Sequence, residues 1–369
     1  MIGTRLEGVA IRGLRVAVPS TMRDLADEGL IEDAEERARL TRSIGVTRRR
    51  VASPGLCTSD LCQLASEGLL AQLGWDPASI NVLIFVSQSA DFVIPATACA
   101  LQARLGLASC LAFDVNLGCS GYVYGLWTAA SLLRSLTVTG RPARALVLAG
   151  DISTSKLLPG DRGTVPLFGD AGSATALELD PEAGPIYGLF GTDGTGADHL
   201  IVRAGGVREP LLPPETPHAP DVADKLYRDA RLHLNGTEVF NFTLRRVPEL
   251  ISGILDTAGT TAEAIDYFVL HQANAFMLSH LRKKAKLPEE KVPVAMEGYG
   301  NTSSASIPLT IADKLASQVS GSTQRMVLMG FGVGWSWGAL ALDLGPMPAP
   351  MVVEYPAPGV PSSGVSSAA

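Results

Sequence analysis

The sequence has little charge and no strongly basic segment. Charged residues make up 18% of the 369 residues and hydrophobic residues make up 46%, so much of the chain must be buried. The formal net charge is -7, and no run of Lys and Arg is long enough to indicate nucleic-acid binding. We therefore expect a mildly acidic protein with no nucleic-acid partner.

The chain also lacks a cysteine framework and a membrane span. Its five cysteines are odd in number and irregular in spacing, and Cys57 and Cys62 do not have the spacing of a zinc site. Residues 1–19 lack the apolar core of a signal peptide, and no uninterrupted apolar stretch is long enough to cross a bilayer. These absences predict a cytoplasmic protein without a metal site, a disulfide scaffold or a membrane anchor.

Apolar runs of strand length alternate with helical patterns along the chain. Residues 81–87 and 143–149 have the continuous hydrophobicity of strands that are covered on both faces. The alternation predicts an α/β fold with two halves, residues 1–182 and 183–345, each carrying a reactive side chain at the end of a strand. Residues 346–369 are rich in Pro, Ser, Ala and Gly, and we predict a disordered tail there.

Two weaker predictions concern the second half. Residues 205–222 contain five prolines and are expected to form an irregular loop. Residues 292–296 are expected to form a short strand.

Cys119 lies where a predicted strand, residues 110–115, ends and a predicted helix begins near Tyr122. Unpaired N–H groups at a helix N-terminus favour negative charge, so a thiol there can have a lowered pKa and react as a thiolate. The alternative is a small buried cysteine that fills a gap between helix and sheet.

His271 and Asn301 occupy comparable strand-end and loop positions in the second half. A His and an Asn that both donate to one carbonyl oxygen would polarise a thioester and stabilise an enolate, while Cys119 could carry an acyl group. Each residue also has a structural interpretation, as a core histidine or as a turn and helix cap. The three together predict one catalytic site.

Two glycine-rich segments do not fit the motifs of dinucleotide-binding proteins or of serine hydrolases. Residues 330–334 follow a strand as a dinucleotide loop would, but a second strand rather than a helix follows them, so a Gly-rich turn that presents an N–H to an oxyanion fits better. Residues 118–121 lack the Gly-x-Ser-x-Gly spacing of a serine hydrolase.

Five segments, taken together, resemble the signature motifs of β-ketoacyl–acyl carrier protein synthase III. They are residues 116–121, 168–172, 271–274, 300–303 and 330–334. The resemblance extends over roughly residues 5–344. It implies the thiolase-like fold, with two stacked βαβαβαββ halves in five layers, α-β-α-β-α, and it implies a homodimer.

The resemblance also implies roles for the site residues. Cys119 would accept the acyl group, and His271 and Asn301 would bind the malonyl thioester carbonyl during decarboxylative Claisen condensation. The backbone N–H groups of Cys119 and Val333 would form the oxyanion hole. No tightly bound cofactor is implied, because the substrates are thioesters of coenzyme A or phosphopantetheine.

Further positions match residues that contact the substrate in this family. Arg162 and Asn274 match contacts to the nucleotide and pantetheine of coenzyme A, and Phe331 lines the same site. Ile94 matches the residue that caps the acyl pocket of the partner subunit. A bulky aromatic is common there, so the smaller Ile94 would permit an acyl chain longer than acetyl.

Two departures concern the donor. Arg39 stands where the family usually has a Trp that stacks on adenine, and Phe276 stands where an Arg is usual. Both favour a donor carried by a protein over coenzyme A, and they indicate a specialised homologue that works in secondary-metabolite, polyketide or glycolipid assembly.

A basic rim could receive an acidic acyl carrier protein, although a solvated helix face is an equally good interpretation. The residues of this basic rim are Arg245, Arg246, Arg282, Lys283 and Lys284.

The residues leave three functions open. The first is a condensing enzyme that acts on a malonyl thioester. The second is an acyltransferase that passes the acyl group to a hydroxyl or amine without decarboxylation. The third is a non-catalytic subunit that binds a carrier protein.

Overall fold

The computed structural model describes residues 1–211 and 220–356. Its strands are β1 (Ile2–Leu6), β2 (Val9–Pro19), β3 (Met22–Asp24), β4 (Arg48–Arg50), β5 (Val82–Val86), β6 (Leu111–Val115), β7 (Arg144–Asp151), β8 (Ala171–Leu179), β9 (Ile186–Thr192), β10 (Leu200–Ile201), β11 (His233–Leu234), β12 (Tyr267–Leu270), β13 (Gln324–Gly332), β14 (Ser336–Leu344) and β15 (Met351–Tyr355). Its helices are α1 (Ala34–Ile44), α2 (Thr58–Leu73), α3 (Thr97–Arg104), α4 (Gly121–Ser135), α5 (Pro220–Asp229), α6 (Gly236–Ala258), α7 (Ala275–Lys284), α8 (Ser306–Lys314) and α9 (Ala316–Gly321).

Two large sheets form the frame of this described part of the chain. The first sheet has the order β15-β2-β8-β7-β5-β6, and the second has the order β1-β9-β14-β13-β12. Two small pairs, β3 with β4 and β10 with β11, lie outside them.

Side-chain alternation along the strands shows the layers. In β5, Ile84 belongs to a core shared with α4 and α8, while Leu83 and Phe85 belong to a core shared with α2 and α3. In β13, Leu328 lies in the α4–α8 core and Met329 in a third core with α6 and α7. Each large sheet is therefore covered on both faces, as its continuous hydrophobicity requires. The predicted five-layered α-β-α-β-α arrangement is confirmed.

The terminal strands do not stay with their own halves. β1 pairs antiparallel with β9 in the second sheet, and β15 pairs parallel with β2 in the first. The prediction of a disordered tail is therefore wrong for residues 351–355, where the apolar residues Val352 and Val353 pack against the cores on either face of β2. Residues 357–369 lie outside the described residues, and the division at 182/183 stays a prediction.

The second half lacks one strand of the predicted pattern. Residues 292–296 form no strand, because the Gln272 side chain takes the hydrogen bonds that a strand partner would make. Its Oε1 accepts from Ala295 N at 3.0 Å and its Nε2 donates to Pro293 O at 3.4 Å, and Pro293 has no N–H to offer a ladder. The first half has the full order, β2-α2-β5-α3-β6-α4-β7-β8.

The predicted irregular loop, residues 205–222, is described only in part. Residues 212–219 lie outside the described residues, and α5 begins at Pro220. No described helix combines the length and hydropathy that a membrane crossing requires.

Candidate active site

Cys119 lies at the junction between β6 and α4, as predicted, and is 8% exposed. The strand β13 passes directly over it. A Cβ at Gly332 would lie 2.8 Å from the Cys119 sulfur, a distance that real Cβ atoms do not tolerate. Glycine in the 330–334 segment is thus required so that β13 can approach the thiol.

The pKa of the Cys119 thiol differs from the expectation. Burial raises this pKa to about 11, although hydrogen bonds with the backbone of Val333 and of Cys119 lower it. Desolvation penalises the thiolate more than the local N–H groups favour it, so the predicted lowering is wrong. The backbone of Val333 and of Cys119 therefore lies within hydrogen-bonding reach of the sulfur, and the oxyanion hole stays a prediction.

His271 follows β12 directly and is 1% exposed. Its Nδ1 lies 2.7 Å from the Ser306 hydroxyl, which also accepts from Gln272 N at 3.4 Å. If the Ser306 hydroxyl donates to Nδ1, the proton of the neutral imidazole lies on Nε2. Desolvation lowers the pKa of His271 to about 4, so the ring is neutral near pH 7. The ring of Phe331 packs edge-on against it, with the centroids 5.7 Å apart.

Asn301 is fixed at both its backbone and its side chain. Its N–H donates to Leu167 O at 2.8 Å, and its carbonyl accepts from Gly169 N at 3.0 Å, so the loop is held by the 168–172 motif. Its Oδ1 accepts from Ser303 N at 2.9 Å, and its Nδ2 donates to Ala273 O at 3.3 Å. An amide nitrogen has two N–H groups, so this contact leaves a second donor for a substrate.

Ser303 is the residue at which the three predicted groups meet. Its N–H binds Asn301, its backbone hydrogen-bonds with His271, and its side chain lies close enough to Cys119 to lower the pKa of that thiol. It is 5% exposed and has a φ of 51°, in the left-handed region that serine rarely adopts. The sequence interpretation missed it, because a serine after Asn301 cannot be distinguished from a helix cap.

A cavity of about 540 Å³ opens onto this cluster and is lined by Cys119, Ser303 and Val333. Apolar side chains supply much of the remaining wall, among them Ile152, Phe168, Leu200, Ile201, Val202 and Leu232. Such a volume is ordinary for a small-molecule site. Among the described residues, no group of three His, Cys, Asp or Glu side chains could hold a metal ion.

The other predicted contact residues lie outside this cluster. Arg162 is exposed and pairs with Glu36 of α1, and Asn274 caps α7 by accepting from Met277 N at 2.7 Å. Ile94 is 84% exposed in a run of exposed apolar residues.

Most of the basic rim is engaged within the chain. Arg246 pairs with Glu249 and Arg282 with Glu289, and the Lys284 ammonium donates to a backbone carbonyl. Within the part of the chain that the structure describes, Arg245 and Lys283 are exposed and form no ion pair. The docking prediction stays a prediction.

The comparisons with known proteins agree with these motifs. Residues 113–194 match the family described as 3-oxoacyl-[acyl-carrier-protein (ACP)] synthase III, and residues 255–344 match the family of its C-terminal part. A β-ketoacyl-[acyl-carrier-protein] synthase III from Symbiobacterium thermophilum is 36% identical over 92% of this chain and 99% of its own length. One from Geobacillus kaustophilus is 32% identical, also over 92% of this chain and 99% of its own length.

Solved structures are similar over the whole fold. A 3-oxoacyl-(acyl-carrier protein) synthase from Burkholderia xenovorans LB400 is 43% identical, with a TM-score of 0.88 over 96% of this chain and 99% of that one. The priming β-ketosynthase of the R1128 polyketide pathway is 27% identical, with a TM-score of 0.77 over 93% of this chain and 98% of that one. The chain therefore belongs to the 3-oxoacyl-[acyl-carrier-protein] synthase III family of acyltransferases.

Proposed function

We propose that this protein carries an acyl group on Cys119 and condenses it with a malonyl thioester to give a 3-oxoacyl product. The observation that supports the proposal is that Cys119, His271 and Asn301 all contact Ser303, which lines the cavity together with Cys119.

In the first half-reaction the Cys119 sulfur attacks the carbonyl carbon of an acyl thioester. The donor thiolate leaves and takes up the proton of Cys119. Negative charge develops on the carbonyl oxygen, and the N–H groups of Cys119 and Val333, which already lie beside the sulfur, can stabilise it. The apolar wall of the cavity then receives the acyl chain.

In the second half-reaction a malonyl thioester loses CO₂. The electron pair of the broken C–C bond forms an enolate, which attacks the acyl carbon and releases Cys119. With the proton on Nε2, the neutral His271 ring offers Nε2–H, and Asn301 offers its second Nδ2–H, so both can donate to the enolate oxygen. A neutral donor suits this step, because it stabilises the enolate oxygen without protonating it.

Product analysis tests this function against simple acyl transfer. Purified protein given an acyl thioester and a malonyl thioester should release CO₂ and form a 3-oxoacyl thioester. An ester or amide without CO₂ would favour transfer to a hydroxyl or amine. Such transfer needs a general base, and the pKa of His271, lowered to about 4, makes it a weak one.

We propose that the donor is borne by an acyl carrier protein. The residues at the positions that the resemblance assigns to coenzyme A contacts are engaged within the chain: Arg39 pairs with Glu35, Arg162 pairs with Glu36, and Phe276 stacks on Phe240. Phe276 is 47% exposed and lies on α7 just after Asn274.

An acyl-coenzyme A and the same acyl-pantetheine should therefore have kcat/KM values for loading within about fivefold of each other, since exposed, already paired cations contribute at most about 1 kcal/mol. A carrier protein that bears the same acyl group should be clearly better than both. Steady-state kinetics with the three thioesters checks this, and a large advantage of coenzyme A over pantetheine would contradict it.

We also propose a homodimer in which the partner subunit's Ile94 closes the acyl cavity. Phe92, Val93 and Ile94 are 61%, 97% and 84% exposed in the single chain, and β6 is an edge strand of the first sheet. A run of three exposed apolar residues beside an open strand edge is the kind of surface that a second copy covers.

A larger cap should then narrow the range of acyl groups. In Ile94→Phe, loading of hexanoyl thioester on Cys119 should fall about tenfold, because overpacking a filled pocket costs about 1–3 kcal/mol, while acetyl loading should not change. Intact-mass measurement of the acyl adduct follows both. Val93→Phe is the matched control, and equal effects of the two substitutions would contradict the assignment of Ile94.

A further inference from the structure

Asp151 is a buried carboxylate that has no role in either half-reaction as described above. It ends β7, is 2% exposed, and lines the same cavity as Cys119 and Ser303. A carboxylate in such a place is costly unless its oxygens are fully hydrogen-bonded. Its partners therefore indicate what it does.

The two oxygens of Asp151 connect the two halves of the chain. Oδ1 accepts from Gln88 N at 2.7 Å and from the Ser87 hydroxyl at 3.3 Å, on the loop after β5. Oδ2 accepts from Ser304 N at 3.2 Å and from the Ser304 hydroxyl at 2.8 Å, on the turn after Asn301. One carboxylate thus holds the end of a first-half strand against the turn that carries a second-half donor.

The turn that Asp151 holds is a strained one. Ser303 has a φ of 51°, and a serine keeps such a conformation only when the surroundings impose it. The next residue, Ser304, gives both its N–H and its hydroxyl to Asp151. Through its own N–H, Ser303 in turn orients Asn301, and its backbone contacts His271.

The same carboxylate has a cost for the nucleophile. Burial raises the pKa of the Asp151 carboxyl, although hydrogen bonds from Gln88 and Ser304 lower it. In its ionised form the carboxylate raises the pKa of Cys119, which opposes formation of the thiolate. A group that served only the first half-reaction would be expected to lower the pKa of Cys119 and not to raise it. The contacts to Ser304 assign its benefit to the second half-reaction instead.

We propose that Asp151 is a positioning residue for decarboxylation, holding the Ser303–Ser304 turn so that the Asn301 and His271 donors converge on the thioester carbonyl. The inference rests on the proposed function, because it takes Cys119, His271 and Asn301 as the reacting groups. Under this inference Asp151 has opposite effects on the two half-reactions: its contacts favour decarboxylation, and its charge opposes formation of the Cys119 thiolate.

The substitution Asp151→Asn should change the two half-reactions in opposite directions. An amide cannot accept on both sides, so either Gln88 or Ser304 loses its acceptor and the turn shifts. Decarboxylation of a malonyl thioester, measured without an acyl donor, should fall about 10²-fold, as expected for a small displacement of positioned donors. Loss of the negative charge lowers the pKa of Cys119, so its alkylation by iodoacetamide at pH 8 should be about three- to tenfold faster.

Two further variants make the test specific. Ser304→Ala keeps the charge and loses one donor, so it should slow decarboxylation without speeding alkylation. Asp170→Asn is the matched control: Asp170 is also a fully buried carboxylate, but its partners are Thr154 and Ala52. It should leave the alkylation rate of Cys119 unchanged. The alkylated peptide carrying Cys119 is quantified by mass spectrometry, which separates it from the exposed Cys99.

The measured rates distinguish results that support the inference from results that overturn it. Slower decarboxylation with faster alkylation of Cys119, while the equally buried Cys62 stays unalkylated, supports the inference, because a poorly folded protein would expose both thiols. Decarboxylation by folded Asp151→Asn within threefold of wild type would overturn it, as would a parallel loss of both rates. If Asp151→Asn does not fold, unchanged decarboxylation by Ser304→Ala has the same force. A wild-type protein that neither decarboxylates malonyl thioesters nor forms an acyl adduct would instead refute the proposed function.

Discussion

Replacing Cys119 by alanine is expected to abolish both the acyl adduct and condensation. Without the sulfur there is no covalent intermediate, so the 3-oxoacyl product should fall by at least about 10⁴-fold, a loss typical of a removed nucleophile. Decarboxylation of a malonyl thioester should continue, because His271 and Asn301 are untouched. Intact mass after exposure to an acyl thioester and release of CO₂ from the malonyl thioester measure the two effects separately.

Cys62→Ala is the matched control for this experiment. Cys62 is also fully buried, and burial raises the pKa of its thiol to about 12, but it packs in the core between α2 and the first sheet. Its substitution should lower stability slightly and leave the acyl adduct in place. An acyl adduct that survives in Cys119→Ala, or condensation that persists, would show that another residue is the nucleophile.

Removal of either side chain proposed to donate to the malonyl thioester carbonyl should slow decarboxylation and leave the loading of Cys119 nearly unchanged. In Asn301→Ala or His271→Ala, decarboxylation should fall about 10²–10³-fold, which is the usual cost of one preorganised donor. Loading of Cys119 should stay within about threefold of wild type, because the oxyanion donors that we propose for it are the backbone N–H groups of Cys119 and Val333. The rates of single-turnover loading and of malonyl decarboxylation are measured on the same preparation, and the loss in one rate is compared with the loss in the other. Loss of loading in parallel with decarboxylation would contradict this division of roles.

The pH dependence follows from the buried ring. Since desolvation lowers the pKa of His271 to about 4, the ring is neutral above about pH 5, and decarboxylation should show no change with an apparent pKa near 6.5. The unfolded chain binds a proton at His271 below its ordinary pKa, and the folded chain resists it until about pH 4. This group therefore makes the protein less stable as the pH falls from about 6.5 to 4. An activity change centred near pH 6.5 that is absent in His271→Ala would show that the folded ring titrates normally.

The sequence predicted those features that depend on local pattern. Continuous apolar runs such as β5 identified buried strands, and their alternation with helices gave the layers. Cys119, His271 and Asn301 were selected as candidates because strand ends and adjoining loops are where such folds place reactive groups. Comparing one strand end with another brought these residues into a single hypothesis although 182 positions separate Cys119 from Asn301.

Features that depend on distant partners were not predictable in this way. The strand expected at residues 292–296 failed because Gln272 occupies its hydrogen bonds, and β15 formed because β2 offers an edge. The raised pKa of Cys119 reflects burial beneath β13, which a strand-to-helix junction alone does not reveal. Ser303 and Asp151 were missed because a serine in a turn and an acid at a strand end are common, and only their mutual contacts distinguish them.

The placement of β1 and β15 bears on how this chain could be divided. The first β-strand completes a sheet built mostly from the second half, and the last described one completes a sheet built from the first. A gene cut between residues 182 and 183 would give two fragments, each missing one edge strand and carrying a surplus one. Such fragments should aggregate when made separately, because each exposes an unpaired sheet edge and a surplus strand. They should recover activity only when co-expressed, because the surplus strand of each fragment must complete the sheet of the other.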